Sequence, residues 1–194
     1  MLNLEELEKK TDQELVELAK DDQEMFGALM ARYQRPLFAY VKRISQLGNE
    51  DVEDLLQDIF VKAYLNLNSY ESSLKFSSWI YRISHNHVVD NFRRISARPK
   101  ILNTEDDSWM RIVRADTDLE KELADRDCAG KIKEAIEQMP LKYREVLVLR
   151  FVEDKEYEEI MDILQKPKGT VATLIARGKK LIEKDIKKKG IRFF

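Results

Sequence analysis

The chain of 194 residues is 43% hydrophobic and 36% charged, with a formal net charge of −2. It is too apolar to be a disordered chain, and its length holds one large domain or two small ones. Six glycines and four prolines leave little turn material and favour an all-helical protein, no apolar run reaches membrane-spanning length, and the acidic, polar opening MLNLEELEKK argues against a signal peptide.

In chain order, Thr11 and Glu14 form a capping-box pattern that predicts a short helix over Asp12 to Lys20. Asp21 or Asp22 caps a longer helix, Gln23 to Gln46, which Pro36 bends or splits. Gly48 ends it, and Asn49 caps a helix over Glu50 to Leu67. Ser77 or Ser78 opens a helix running to about Arg94. The segment PKILNTEDDSWMRIVRADTD has no sustained period and reads as a linker containing Trp109. Helices resume over Leu119 to Met139, Leu141 to Phe151, Tyr157 to Leu164 and Thr170 to Lys188. No strand and no internal repeat is expected.

Cys128 is the only cysteine, which excludes an internal disulfide and suits a reducing, cytoplasmic setting. His85 and His87 are the only histidines, and two residues apart on a helix they face different ways, so a metal pair is not expected. Charge is unevenly distributed. Residues 1–100 carry 14 basic and 16 acidic side chains, residues 101–127 carry 4 and 9, and residues 128–194 carry 16 and 11. A balanced domain, an acidic connector and a basic end result.

Three helical faces stand out. On the helix that opens at Ser77 or Ser78, Trp79, Arg82, Asn86, Asp90 and Arg93 make one straight stripe, flanked by Ile80, Ile83 and His87 on one side and Tyr81, Val88 and Phe92 on the other. Such a ribbon could hydrogen-bond base edges and phosphates while the indole stacks on an unpaired base. Equally, Trp79 could pack into the core, with Arg82 and Arg93 pairing with Asp90. On Glu50 to Leu67, the core face Leu55, Leu56, Ile59, Phe60 and Ala63 is opposed by Asp54, Gln57, Asp58, Val61 and Leu65. Aliphatics among acids suit docking to another protein, although isolated surface aliphatics are also common. In YEEIMDILQKPKGTVATLIARGKKLIEKDI, a helix, a Pro-x-Gly turn and a second helix follow one another, with Thr170 as cap. Val171, Leu174, Ile175, Gly178, Leu181, Ile182 and Ile186 share the second helix's apolar back. Thr173, Arg177, Lys180 and Lys184 lie away from it beside the small Ala172 and Ala176. A cationic front on an apolar back is how a recognition helix enters the major groove, and Lys166 and Lys168 stand at its start to meet phosphate.

Together these stretches resemble the extracytoplasmic-function sigma factors, compact promoter-specificity subunits of bacterial RNA polymerase. EDVEDLLQDIFVKAYLNLNSY resembles the family's core-binding segment, KFSSWIYRISHNHVVDNFRR its melting and −10 segment, and IEQMPLKYREVLVLRFVEDKEYEEIMDILQKPKGTV its −35-binding domain. The likeness spans roughly 12–96 and 119–188. It implies an all-α fold of two small helical domains, 1–96 and 119–194, joined by an acidic flexible linker, 97–118, with a helix-turn-helix in the second.

The resemblance also implies roles. Asp54, Gln57, Asp58, Val61 and Leu65 would meet the clamp helices of core RNA polymerase. The ribbon of Trp79, Arg82, Asn86 and Arg93 would hold the single-stranded −10 element, with Ser69, Tyr70, Lys75 and Phe76 in the loop that captures a flipped base. Lys166, Lys168, Thr170, Thr173, Arg177 and Lys180 would meet the −35 duplex. Many members carry basic residues where this chain has Ala172 and Leu174, which leaves its −35 sequence preference open. No cofactor is implied. An anti-sigma factor is the further partner expected, and the free chain is expected to be a monomer. A stand-alone helix-turn-helix regulator with an N-terminal dimerisation or sensing domain is the alternative. No nucleophile–base pair, metal cluster or phosphate loop points to an enzyme.

Overall fold

The structure is a computed structural model that describes residue 7 and residues 9–96 and 126–188. Those residues form eight α-helices and no strand: α1 (Asp12–Asp21), α2 (Gln23–Ser45), α3 (Asn49–Leu65), α4 (Phe76–Ser96), α5 (Arg126–Glu137), α6 (Leu141–Phe151), α7 (Tyr157–Leu164) and α8 (Lys168–Lys188). A 3-10 turn, Leu67–Ser69, precedes the loop into α4. The chain divides into two compact units. The first is built on α1 to α4. The second rests on α5, α6 and α8, with α7 joining α6 to α8 along the chain. The expected linker and Trp109 lie outside the described residues.

Local chemistry sets the helix ends. The capping box of α1 is present: Thr11 Oγ1 accepts from the Glu14 amide, and Glu14 Oε2 accepts from the Thr11 amide at 2.7 Å. Hydrogen bonds donated by the Thr11 amide and then its hydroxyl hold the Glu14 carboxyl below its ordinary pKa. Asp22 caps α2 through the Glu24 amide at 2.9 Å. Pro36 neither splits nor ends α2, which runs unbroken through it. The cost of the lost backbone bond is offset by burial on both sides, with Leu29 and Tyr33 before it and Leu37, Tyr40 and Val41 after. The cap of α3 differs from expectation. Gly48, which has no side chain to accept a bond, occupies the N-cap position, and the Asn49 side chain, expected to cap, accepts from Lys42 Nζ instead.

The core of the first unit follows the helical stripes. Leu15 and Val16 of α1, Leu37 and Ile44 of α2, Val52 and Ile59 of α3 and Ile80 of α4 are fully or almost fully buried. Each is worth roughly 1.5–3 kcal/mol of transfer free energy. At the start of α1, Asp12 anchors α2: Arg32 donates to its Oδ1 at 2.5 Å and the Tyr33 hydroxyl to its Oδ2. In the second unit, Ile132 and Ile136 of α5 and Val146, Leu147 and Leu149 of α6 are buried, as are Val171, Ile175 and Ile182 of α8. α8 crosses α6 closely at Gly178, where an added Cβ would stand 2.7 Å from Leu147 Cδ1.

Candidate docking and nucleic-acid surfaces

The α3 stripe is exposed as its period requires. Asp54, Gln57 and Asp58 are solvent-facing, and Val61 and Leu65 are 58% and 73% exposed. Among the described residues the only other large hydrophobic side chain so exposed is Met30, at 38%. Met30 belongs to a second feature, an open groove of about 580 Å³ between α2 and α3 lined by Gln34, Arg35, Phe38, Glu53 and Gln57. The groove reaches the exposed α3 stripe at Gln57. Its α2 wall was legible as an i, i+4, i+8 series, Met30, Gln34 and Phe38, lying off the core stripe.

The −10 constellation divides in two. Ser69, Lys75, Asn86 and Arg93 are exposed and Arg82 is half-buried. Trp79, expected on the exposed ribbon, is instead 4% exposed, and Tyr70 and Phe76 are 6% and 2% exposed. They form an aromatic cluster with Tyr33: the ring centroids of Tyr70 and Phe76 both lie within 5.6 Å of that of Trp79, and Phe76 is 5.4 Å from Tyr33. The Tyr70 hydroxyl donates to the Leu74 carbonyl at 2.6 Å and closes the loop on itself. Burial raises the pKa of that phenol. Gln13 Nε2 adds a bond from α1 to the Ser72 carbonyl at 3.1 Å. Burying an indole removes a large apolar area from water, and this gain outweighs the stripe's regularity. The three aromatics brace the loop and the start of α4, while the polar members of the ribbon remain outside.

The helix-turn-helix has α7 and α8 on either side of a turn in which Gln165 adopts a left-handed conformation, φ 53°. The turn departs from expectation at its cap. α8 begins at Lys168, and the Pro167 carbonyl, not Thr170, receives the first amides, those of Thr170 and Val171. Pro lacks an N–H and suits this position. Thr170 and Thr173 are exposed, with Gly169, Ala172 and Ala176 beside them; Arg177 and Lys180 are half-buried. The Thr173 hydroxyl donates back to the Gly169 carbonyl at 2.7 Å.

Of the two lysines at the turn, Lys168 lies 3.4 Å from Glu158 with both side chains about 70% exposed, a contact of little energetic weight. Backbone hydrogen bonding and then Lys168 hold the Glu158 carboxyl below its ordinary pKa. Lys166 is committed differently. Its Nζ lies 3.2 Å from Oε1 of Glu145, a side chain of α6 that is only 6% exposed. That pair ties the turn to α6, so Lys166 is a structural cation in the free protein. Arg150 ties the loop between α6 and α7, donating to the Lys155 carbonyl at 3.3 Å and lying 3.7 Å from Glu156. Neither tie was legible, since Glu145 stands 21 positions from Lys166, and Arg150 stands 5 and 6 positions from Lys155 and Glu156.

The sequence as a whole matches two family models, Sigma-70 region 2 over residues 29–98 and Sigma-70, region 4 over residues 129–182. It is 30% identical to the ECF RNA polymerase sigma factor SigW of Bacillus subtilis, covering 93% of this chain and 99% of that one. The chain belongs to the ECF sigma factors. The ECF RNA polymerase sigma-E factor of Escherichia coli K12 is 31% identical, with 92% of this chain and 96% of the relative covered. Two solved structures share the fold. CnrH, in complex with the cytosolic domain of CnrY, has a TM-score of 0.64 at 23% identity over 92% of this chain and 98% of that one. RpoE of Bartonella quintana, in complex with the anti-sigma factor NepR, has a TM-score of 0.59 at 20% identity, covering 84% and 96%. In this sigma factor, region 2 therefore spans both the α3 stripe and the α4 ribbon, and region 4 spans the helix-turn-helix. Among the described residues, no helix is long and apolar enough to cross a membrane, and no group of three or more metal-binding side chains occurs.

Proposed function

We propose that this sigma factor docks on the clamp helices of core RNA polymerase through Asp54, Gln57, Asp58, Val61 and Leu65 of α3. The observation that carries this reading is the exposure of Val61 and Leu65 among carboxylates, two apolar side chains left uncovered on a helix whose other face is buried. The polymerase-bound chain then reads promoter DNA with two faces. Lys75, Arg82, Asn86 and Arg93, with Ser69 at the loop, hold the unpaired −10 strand over the braced aromatics. Lys168, Thr170, Thr173, Arg177 and Lys180 meet the −35 duplex. An anti-sigma factor would keep the chain from polymerase by covering the same α3 stripe, and it acts in the cytoplasm on a chain that is monomeric when free. Asp58→Lys and Val61→Asp each abolish association with core polymerase while the circular dichroism stays that of the wild type, because both side chains point away from the core. Unchanged core affinity in either variant would refute the docking assignment.

A further inference from the structure

His87 reaches from α4 to α3, and its ring sits between Asp58 and Lys62, which stand one turn apart on α3. Lys62 Nζ lies 2.7 Å from Nδ1, and Asp58 Oδ2 lies 3.5 Å from Nε2. The ring is mostly enclosed, its side chain 13% exposed, whereas Asp58 is 69% exposed and Lys62 faces solvent. The position of the proton follows from the chemistry of the neighbours. An ammonium can only donate, so Nδ1 accepts and the neutral ring carries its hydrogen on Nε2, the nitrogen nearer Asp58. A second proton must go to Nδ1. It removes the acceptor that Lys62 uses and places two cations together, while it draws the Asp58 carboxylate toward the imidazolium. The neutral ring thus holds Lys62, and the charged ring holds Asp58. On its own helix, Asp90 and Arg94 lie one and two turns further on.

We propose that His87 is a positioning residue for the docking surface, and that its protonation governs how freely Asp58 meets polymerase. This rests on the docking role of α3 argued above. A partner group that engages Asp58 must take the carboxylate from the imidazolium, so association releases the ring proton and acid competes with docking. Complete coupling would weaken binding about tenfold per pH unit below the ring's pKa. Solvent screening of so exposed a carboxylate reduces this to about threefold to tenfold between pH 8 and pH 6.

The test measures the affinity of the full-length chain for core polymerase by fluorescence anisotropy at several pH values from 6 to 8. It compares wild type, His87→Gln, Lys62→Met and Asp58→Asn. The wild type weakens by about threefold to tenfold toward pH 6, His87→Gln loses that dependence, and Lys62→Met moves the midpoint to higher pH because the ammonium no longer opposes protonation. Equal pH dependence in wild type and His87→Gln overturns the role of His87. Should His87→Gln lose its helical circular dichroism, the Lys62→Met arm decides, and an unmoved midpoint overturns the proposal. Asp58→Asn binding as tightly as wild type at pH 8 refutes the docking reading itself, a separate failure.

Discussion

Tyr33 shows how one hydroxyl can carry part of the first unit's stability. Its ring is nearly buried, and its hydroxyl donates to Asp12, which also takes Arg32 and so pins the start of α1 on α2. Burial first, and then the Asp12 carboxylate, push the phenol's pKa far above its ordinary value. The folded state therefore favours the neutral phenol. That contribution is fully present below the unfolded-state value of about 10 and is lost as pH rises beyond it. Tyr33→Phe costs about 1–3 kcal/mol at neutral pH by leaving one carboxylate oxygen without its donor. The difference in Tm between wild type and variant narrows from pH 9 to pH 11. A gap that stays constant across that range contradicts the assignment.

Helix α8 combines a face proposed for DNA with a back for α6, and Gly178 sets how close the two helices come. An added methyl would stand 2.7 Å from Cδ1 and 3.0 Å from Cγ of Leu147, which is fully buried. Gly178→Ala gains up to about 1 kcal/mol in helix propensity but incurs an overpacking cost of roughly 1–3 kcal/mol. The steric term is expected to win, lowering the urea midpoint of the second unit. A variant as stable as the wild type would mean that the two helices can separate without loss. The position was legible as part of the apolar face of α8, but the need for a glycine was not. Nothing in the periodicity of α8 reveals which residue of α6 lies beneath it.

For the whole molecule, the two faces proposed for DNA would act at different steps of initiation. Arg177 belongs to the helix proposed to meet intact duplex, and Asn86 to the ribbon proposed to hold separated strands. Arg177→Ala lowers closed-complex formation by roughly 1–3 kcal/mol if it contacts a base, and by less if it contacts phosphate. Asn86→Ala spares closed complexes and slows opening, read as permanganate reactivity of melted thymines, and a pre-melted bubble reduces the defect without abolishing it. An Asn86→Ala protein that opens duplex promoters at the wild-type rate would leave the ribbon a solvated surface. A Trp79 variant cannot serve in that test, because it would disturb the aromatic cluster before it touched DNA.

What the sequence determined by itself was local and periodic. The Thr11–Glu14 box, the α6 and α7 limits, the exposed α3 stripe and the order of the two sigma regions all depend on residues a few positions apart. A helix's own caps and faces are set within a turn or two. Which side of a mostly apolar helix meets water is a different matter. Trp79, Tyr70 and Phe76 shared a pattern with their polar neighbours, and tertiary packing, with Tyr33 of α2 against Phe76, placed them inside. The same holds for Lys166, drawn to Glu145, and for His87, set between Asp58 and Lys62. In each case the partner is 21 or more positions away, so tertiary packing alone could bring the groups together and decide which of them remain at the surface.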